Sequence, residues 1–147
     1  MNDEKNNFFD LRGKTALVTG GARRIGRHIA LALAAQGVNL VVHYNTSTQY
    51  AEYLVEEVTK FGIKIHLLQA DLEIPEDAET LSDRAWNLSG GYDILINNAS
   101  IFPQDDISTV SLESLTRNLT VNTWAPLIIA RKFIKKAGHG KIINMLD

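Results

Sequence analysis

Thr19-Gly20-Gly21-Ala22-Arg23-Arg24-Ile25-Gly26-Arg27 follows directly on the apolar run Thr15-Ala16-Leu17-Val18. That run reads as a buried strand, and the apolar spacing over residues 25–36 reads as a helix. The quoted stretch is therefore a strand-to-helix turn. Gly20 can take backbone angles closed to other residues, Gly21 keeps the loop free of side-chain bulk, and Gly26 lets the helix lie close to the strand. The N–H groups of the first helical turn then face outward, toward any anion placed there. An ordinary turn of this kind needs no such arrangement. Three arginines in it set cations against the helix dipole, and an anionic ligand would relieve that conflict.

Outward from this turn, short apolar runs alternate with longer amphipathic ones. Strands are expected over residues 14–19, 38–44, 63–69, 92–97 and 140–145. Helices are expected over 25–36, 48–60, 75–88 and 112–136, the last bent where Pro126 removes a donor. Such alternation implies an α/β fold: a doubly wound parallel sheet of about five strands with helices on both faces. With no internal repeat or linker, residues 11–147 form one domain behind a polar tail at 1–10. The last strand ends at Asp147 with no helix after it, so the carboxy-terminal part of such a fold is expected to be missing.

Composition narrows the function. The chain has 147 residues, 45% of them hydrophobic, and a formal net charge of −2. This is a folded domain with no global attraction to nucleic acid or acidic membranes. Cysteine is absent, which excludes disulfides and thiol catalysis. His28, His43, His66 and His139 lack metal-ligand spacing, so no metal is expected. The polar, acidic start is unlike a signal peptide, and no apolar run approaches the roughly 20 residues of a membrane helix. A cytosolic location is expected.

In a doubly wound sheet the first strand-to-helix turn is the phosphate site of a dinucleotide. A free ribose 2′-hydroxyl is commonly read by Asp or Glu about 20 residues on. Here the second strand ends His43-Tyr44-Asn45-Thr46-Ser47, with no carboxylate. An amide and hydroxyls there, with Arg23 across the turn, suit a 2′-phosphate and favour NADP(H).

Four motifs in order, Thr19-Gly20…Gly26, Asp71, Asn97-Asn98-Ala99 and Asn122, resemble the short-chain dehydrogenase/reductases from Leu11 onward. The resemblance implies a Rossmann-like fold and a nicotinamide-dependent oxidoreductase. Arg23, Arg24, Ile25 and Gly26 would line the phosphates, Asp71 and Leu72 would contact the adenine, and Asn98, Ala99 and Ser100 would run beside the cofactor. Asn97 would brace the sheet, and Asn122 would hold a water in the proton relay. Most of that family has glycine where Arg24 stands, but Thr-Gly-x-Ala-Arg-Arg-Ile-Gly-Arg looks like the pteridine reductase branch, as does the second-strand exit.

In that branch Phe102 would stack on a pterin opposite the nicotinamide, while Ser100 and Arg24 would bind the ligand. Asp147 stands where other members carry the catalytic serine, and could orient or relay a proton to the ring nitrogen. Against these stand plainer readings: Phe102 as a core aromatic and Asp147 as a solvated acid. The family's proton donor is a tyrosine followed four residues later by a lysine, and none of Tyr44, Tyr50, Tyr53 and Tyr92 lies in that pattern. The chain is thus expected to be the cofactor-binding, amino-terminal part of a reductase, catalytically inert or nearly so alone, with homo-oligomers expected of the full-length fold. Two alternatives stay open: a reductase of another carbonyl or enoyl compound, and a non-catalytic nucleotide-binding or interaction module.

Overall fold

The computed structural model describes residues 10–146. Five strands form one parallel sheet: β1 (Thr15–Val18), β2 (Asn39–Tyr44), β3 (Ile65–Gln69), β4 (Ile94–Asn97) and β5 (Lys141–Asn144). Their order across the sheet is β3-β2-β1-β4-β5. The chain therefore reverses its direction of winding between β1 and β4, and a crevice opens beyond the carboxyl ends of those two strands.

The strands alternate as a two-faced sheet must. Ala16 and Val18 of β1 pack with Leu40, Val42, Ile94 and Ile96 against one helical layer; Leu17 packs with Val41 and Leu95 against the other. The first layer is α1 (Arg24–Ala35) and α2 (Thr48–Thr59), whose buried residues include Ala30, Ala34, Leu54 and Val58. The second is α3 (Pro75–Ser89) and α5 (Ala125–Ala137), represented by Leu81, Ala85, Ile128, Ile129 and Phe133. Pro75 opens α3, and Glu76 and Asp77 in its first turn complement the dipole. Tyr92 stacks on Phe133 at 4.9 Å between ring centroids, and its hydroxyl meets the Ser82 hydroxyl at 2.9 Å. Burial pushes its phenol up to about 12, and Tyr92 serves as a packing residue of the core.

The expected single helix over 112–136 is three segments: α4 (Leu112–Leu119), a π-helical turn (Thr120–Trp124) and α5. The irregularity expected at Pro126 thus takes the form of a widened turn just before it. Pro126 has no N–H for the Asn122 carbonyl, so the widened turn absorbs the mismatch, with the Ala125 N–H reaching Thr120. Every expected strand starts one or two residues before the observed one, whereas the ends of β2, β3 and β4 coincide; ladder pairing begins later than the apolar pattern does.

Helix α1 lies on the sheet through a stripe of small buried residues, Gly26, Ala30 and Ala34. A Cβ built on Gly26 would sit 2.3 Å from the Gly20 carbonyl oxygen and 2.5 Å from Asn98 Nδ2. The first is backbone and the second is pinned by its hydrogen bonds to Thr19 and Gly20, so the helix itself would have to move. Gly26→Ala is therefore expected to cost about 2 kcal/mol, measured by chemical denaturation; an unchanged midpoint would contradict the close approach.

Candidate functional site: a dinucleotide cleft at the sheet switch point

The crevice beyond β1 and β4 holds a cavity of about 440 Å³. Four loops build it, each leaving the carboxyl end of a strand. The β1 turn supplies Gly20, Arg23, Arg24, Ile25 and Gly26; the β2 exit, His43 and Asn45; the β3 exit, Asp71, Leu72 and Glu73; the β4 exit, Asn98, Ala99, Ser100 and Ile101. Val121, from the π-helical turn, closes one side.

Thr19 and Asn98 hold the β1 and β4 loops together. The Asn98 side-chain N–H donates to the carbonyls of Thr19 (3.0 Å) and Gly20 (3.1 Å). The Thr19 hydroxyl accepts from the backbone N–H groups of Asn98 and Ala99, both at 3.0 Å. Gly20 has φ +62, and a Cβ there would meet the Ala99 Cα at 3.0 Å. A side chain at position 20 would therefore be strained and would crowd the β4 exit. Asn97 braces the sheet as expected, donating its amide to the Asn144 Oδ1 at 2.9 Å.

The three arginines have three fates. Arg27 points away from the cavity, its Nη2 donating to Glu57 Oε1 at 2.6 Å. Arg23 is exposed and lays its guanidinium 4.6 Å from the centre of the Tyr50 ring. Arg24 has φ +49, the one positive φ outside glycine among the described residues. That backbone region suits glycine and is costly for a residue carrying a Cβ, so Arg24 is held in a conformation that glycine would adopt more readily. No acidic residue stands in the first turn of α1, so neither Arg23 nor Arg24 is neutralised locally by its own helix.

At the β2 exit Ser47 precedes α2 without capping it by its side chain, and Thr46 is exposed. Asn45 lends its carbonyl to Gln69 at 2.9 Å, which leaves its own amide uncommitted to that bond. Tyr44 is half-buried against the core and does not border the cavity. At the β3 exit the Asp71 carboxylate accepts from the Glu73 N–H at 3.0 Å, and the Asp77 carboxylate accepts from the Asp71 N–H at 2.7 Å. Glu73 in turn pairs with Arg117 of α4 through two hydrogen bonds, at 2.6 and 2.9 Å. That pair holds the Glu73 carboxyl below its ordinary range.

His43, expected among the cofactor-binding residues, adjoins the cavity but is buried, and both its ring nitrogens are taken by backbone: the Gly20 N–H donates to Nδ1 at 3.1 Å, and Nε2 lies 3.1 Å from the Ala70 carbonyl. Asn122, expected to hold a water in the proton relay, uses its side chain to clamp Ile101, accepting from its N–H at 2.9 Å and donating to its carbonyl at 2.8 Å. Of the substrate residues, Ser100 borders the cavity, whereas Phe102 lies past it at 76% exposure, which removes the core-aromatic reading. Asp147 lies outside the described residues. Glu73, Ile101 and Val121 carry no assigned role in the sequence reading; each adjoins a residue that does, Leu72, Ser100 and Asn122 respectively.

The residues present fit a dinucleotide. The glycines let the helix start close against the β4 exit, Arg23 and Arg24 have no carboxylate in the first turn of their own helix, and the β2 exit carries no carboxylate to repel a phosphate. Comparison with known proteins agrees. The family model described as short chain dehydrogenase matches residues 14–146. The L-rhamnose 1-dehydrogenase (NADP(+)) of Thermoplasma acidophilum is 33% identical over 135 residues, which are 92% of this chain and 53% of that protein. The tetrahydroxynaphthalene reductase of Pyricularia oryzae is 33% identical over 125 residues, 85% of this chain and 44% of that one. Among solved structures, the FolM alternative dihydrofolate reductase 1 from Brucella canis, complexed with NADP, superposes with a TM-score of 0.85 at 31% identity, over 94% of this chain and 57% of that one. A short chain dehydrogenase from Burkholderia cenocepacia in complex with NADP gives 0.85 at 34% identity, over 92% and 56%. The chain thus spans about half the length of the relatives it matches, and it belongs to the short-chain dehydrogenase family.

Proposed function

We propose that this chain is the NADP(H)-binding part of a short-chain reductase, with a pterin as the substrate class. The observation that carries the cofactor reading is the pairing of Arg23, uncompensated at the start of α1, with a β2 exit that offers Asn45, Thr46 and Ser47 in place of a carboxylate. When bound, NADPH supplies a hydride. The residues of this chain hold it: the turn from Gly20 to Gly26 receives the pyrophosphate, Arg23 with the β2 exit receives the 2′-phosphate, and Asp71 with Leu72 borders the adenine. Asn98, Ala99 and Ser100 run along the nicotinamide side. Asn122, by clamping Ile101, sets the path of the Ser100–Phe102 segment.

Three features support the pterin reading. Phe102 is a free aromatic face one residue beyond the cavity wall. Ser100 and Arg24 offer hydrogen-bonding groups to the edge of a flat, donor-rich ring. The FolM structure is named as an alternative dihydrofolate reductase. Asp147 would orient or relay the proton that must reach the ring nitrogen as hydride reaches carbon. The name of the tetrahydroxynaphthalene reductase favours a second reading, in which the same cleft serves a substrate other than a pterin. No helix among the described residues is long and apolar enough to cross a membrane, and a cytosolic site of action fits a reductase of small molecules. The exposed leucines of α4, Leu112, Leu115 and Leu119, support self-association of the full-length fold.

Titration with NADPH and NADH tests the cofactor assignment. NADPH is expected to bind at least tenfold more tightly, and Arg23→Ala is expected to erase most of that preference, a loss of about 1–2 kcal/mol. Equal affinities in the unaltered chain would refute the 2′-phosphate reading. In a steady-state assay with NADPH and dihydropterin, these 147 residues alone are expected to show no turnover, because none of their tyrosines has a lysine four positions on. Robust turnover would overturn that.

A further inference from the structure

We infer that His43 is a positioning residue whose neutral imidazole, fixed with its proton on Nε2, latches the phosphate turn after β1 to the adenine-side loop after β3. This rests on the nucleotide reading above and goes beyond it, since it assigns the histidine a role other than touching the cofactor.

The geometry leaves the ring one tautomer. The Gly20 backbone group facing Nδ1 at 3.1 Å is an N–H, so Nδ1 must accept. The Ala70 group facing Nε2 at 3.1 Å is a carbonyl, so Nε2 must carry the proton. The ring is 2% exposed, and a buried polar ring is tolerated there only because both nitrogens are satisfied. It also stands where the sheet hands over to loops. The regular pairing of β1 with β2 ends at Val18 and Val42. One residue on, the Gly21 N–H donates to the His43 carbonyl at 3.0 Å, and the Ala70 N–H donates to the Tyr44 carbonyl at 3.1 Å. The imidazole thus extends, through a side chain, the cross-links that backbone pairing can no longer make. Gly20 and Ala70 border the two groups that would receive opposite ends of the adenosine half of a dinucleotide. Their spacing is set through one ring.

A doubly protonated ring would present a second donor to the Gly20 N–H and open the latch. Burial chiefly keeps the ring neutral, lowering its pKa to about 4 from 6.5; the Ala70 bond opposes this, Arg84 adds to it, and Asp77 and Asp71 oppose it. Between those two values the unfolded chain binds a proton that the folded chain excludes. Stability is therefore fully present above about 6.5 and falls as pH drops toward about 4.

The test combines proton-detected nitrogen NMR of the imidazole with NADP+ titration of three variants. His43→Asn places an amide oxygen near the Nδ1 position and keeps the Gly20 bond; His43→Gln places an amide nitrogen near Nε2 and keeps the Ala70 bond; His43→Leu keeps neither. The unaltered chain is expected to show bare Nδ1 and protonated Nε2 at neutral pH. NADP+ affinity is expected to fall about tenfold in His43→Leu and about threefold in each amide variant. Amide shifts should move at residues 70–72 in the Asn variant and at residues 19–21 in the Gln variant. The loss of stability on acidification should flatten in every folded variant. A proton on Nδ1, or unaltered NADP+ affinity in all the variants that fold, overturns the inference. If His43→Leu does not fold, the two amide variants decide it. Failure of the unaltered chain to bind NADP+, with the expected tautomer and shift pattern intact, would refute the cofactor reading and leave the latch standing.

Discussion

The side-chain amide of Asn98 sits against the carbonyls of Thr19 and Gly20, and Gly26 closes over that amide and the Gly20 carbonyl. This contact seats the amino end of α1 directly on the mouth of the sheet. With any larger residue at position 26 the helix would stand off, and its unpaired N–H groups would no longer converge on the crevice. The rest of the cleft is arranged around that seat. The Thr19 hydroxyl ties in the β4 exit, His43 ties in the β3 exit, and Asn122 ties the segment after Ala99 to the widened turn before α5. Each of these links runs from a side chain to backbone, which suits loops that have left the hydrogen-bonding ladder of the strands.

Electrostatics explains why the turn is so rich in arginine. Arg27 belongs to the packing of α1 on α2, through Glu57. Arg23 rests on an aromatic ring at the rim, a position from which it can turn to an anion at small cost. Arg24 occupies a left-handed backbone position, so its chain leaves the turn in a direction different from that of its neighbours. Three cations in five residues would repel one another and the helix dipole if all faced one way. The fold separates them, and keeps two within reach of the cleft.

What could be read from the sequence was what depends on near neighbours. The strand pattern of residues 15–18, the glycine spacing and the missing carboxylate after Tyr44 are local, and the fold and the cofactor-facing turn follow from them. The part of the site that was not legible depends on distant segments meeting. Nothing near His43 indicates that Ala70 will lie across its ring, because that requires β3 to pair with β2 in one register. Likewise the amide of Asn122 meets Ile101 only because a π-helical turn rotates it there, and a proline at 126 suggests a bend without indicating where the strain is taken up. Glu73 escaped notice because its partner, Arg117, is 44 residues away. Asp71 and Ser100 could be named because the motifs that carry them resemble those of a known family, and both lie just past strand ends, where such a fold places its ligands.

A crystal structure of this chain with NADP+ tests the account most directly. The pyrophosphate should lie over the turn between Gly20 and Gly26, with Arg23 swung from Tyr50 to the 2′-phosphate and the adenine beside Leu72. The Gly20–His43–Ala70 bridge should be unchanged. A dinucleotide bound elsewhere, or one whose 2′-phosphate faces solvent while Arg23 stays on Tyr50, would contradict it.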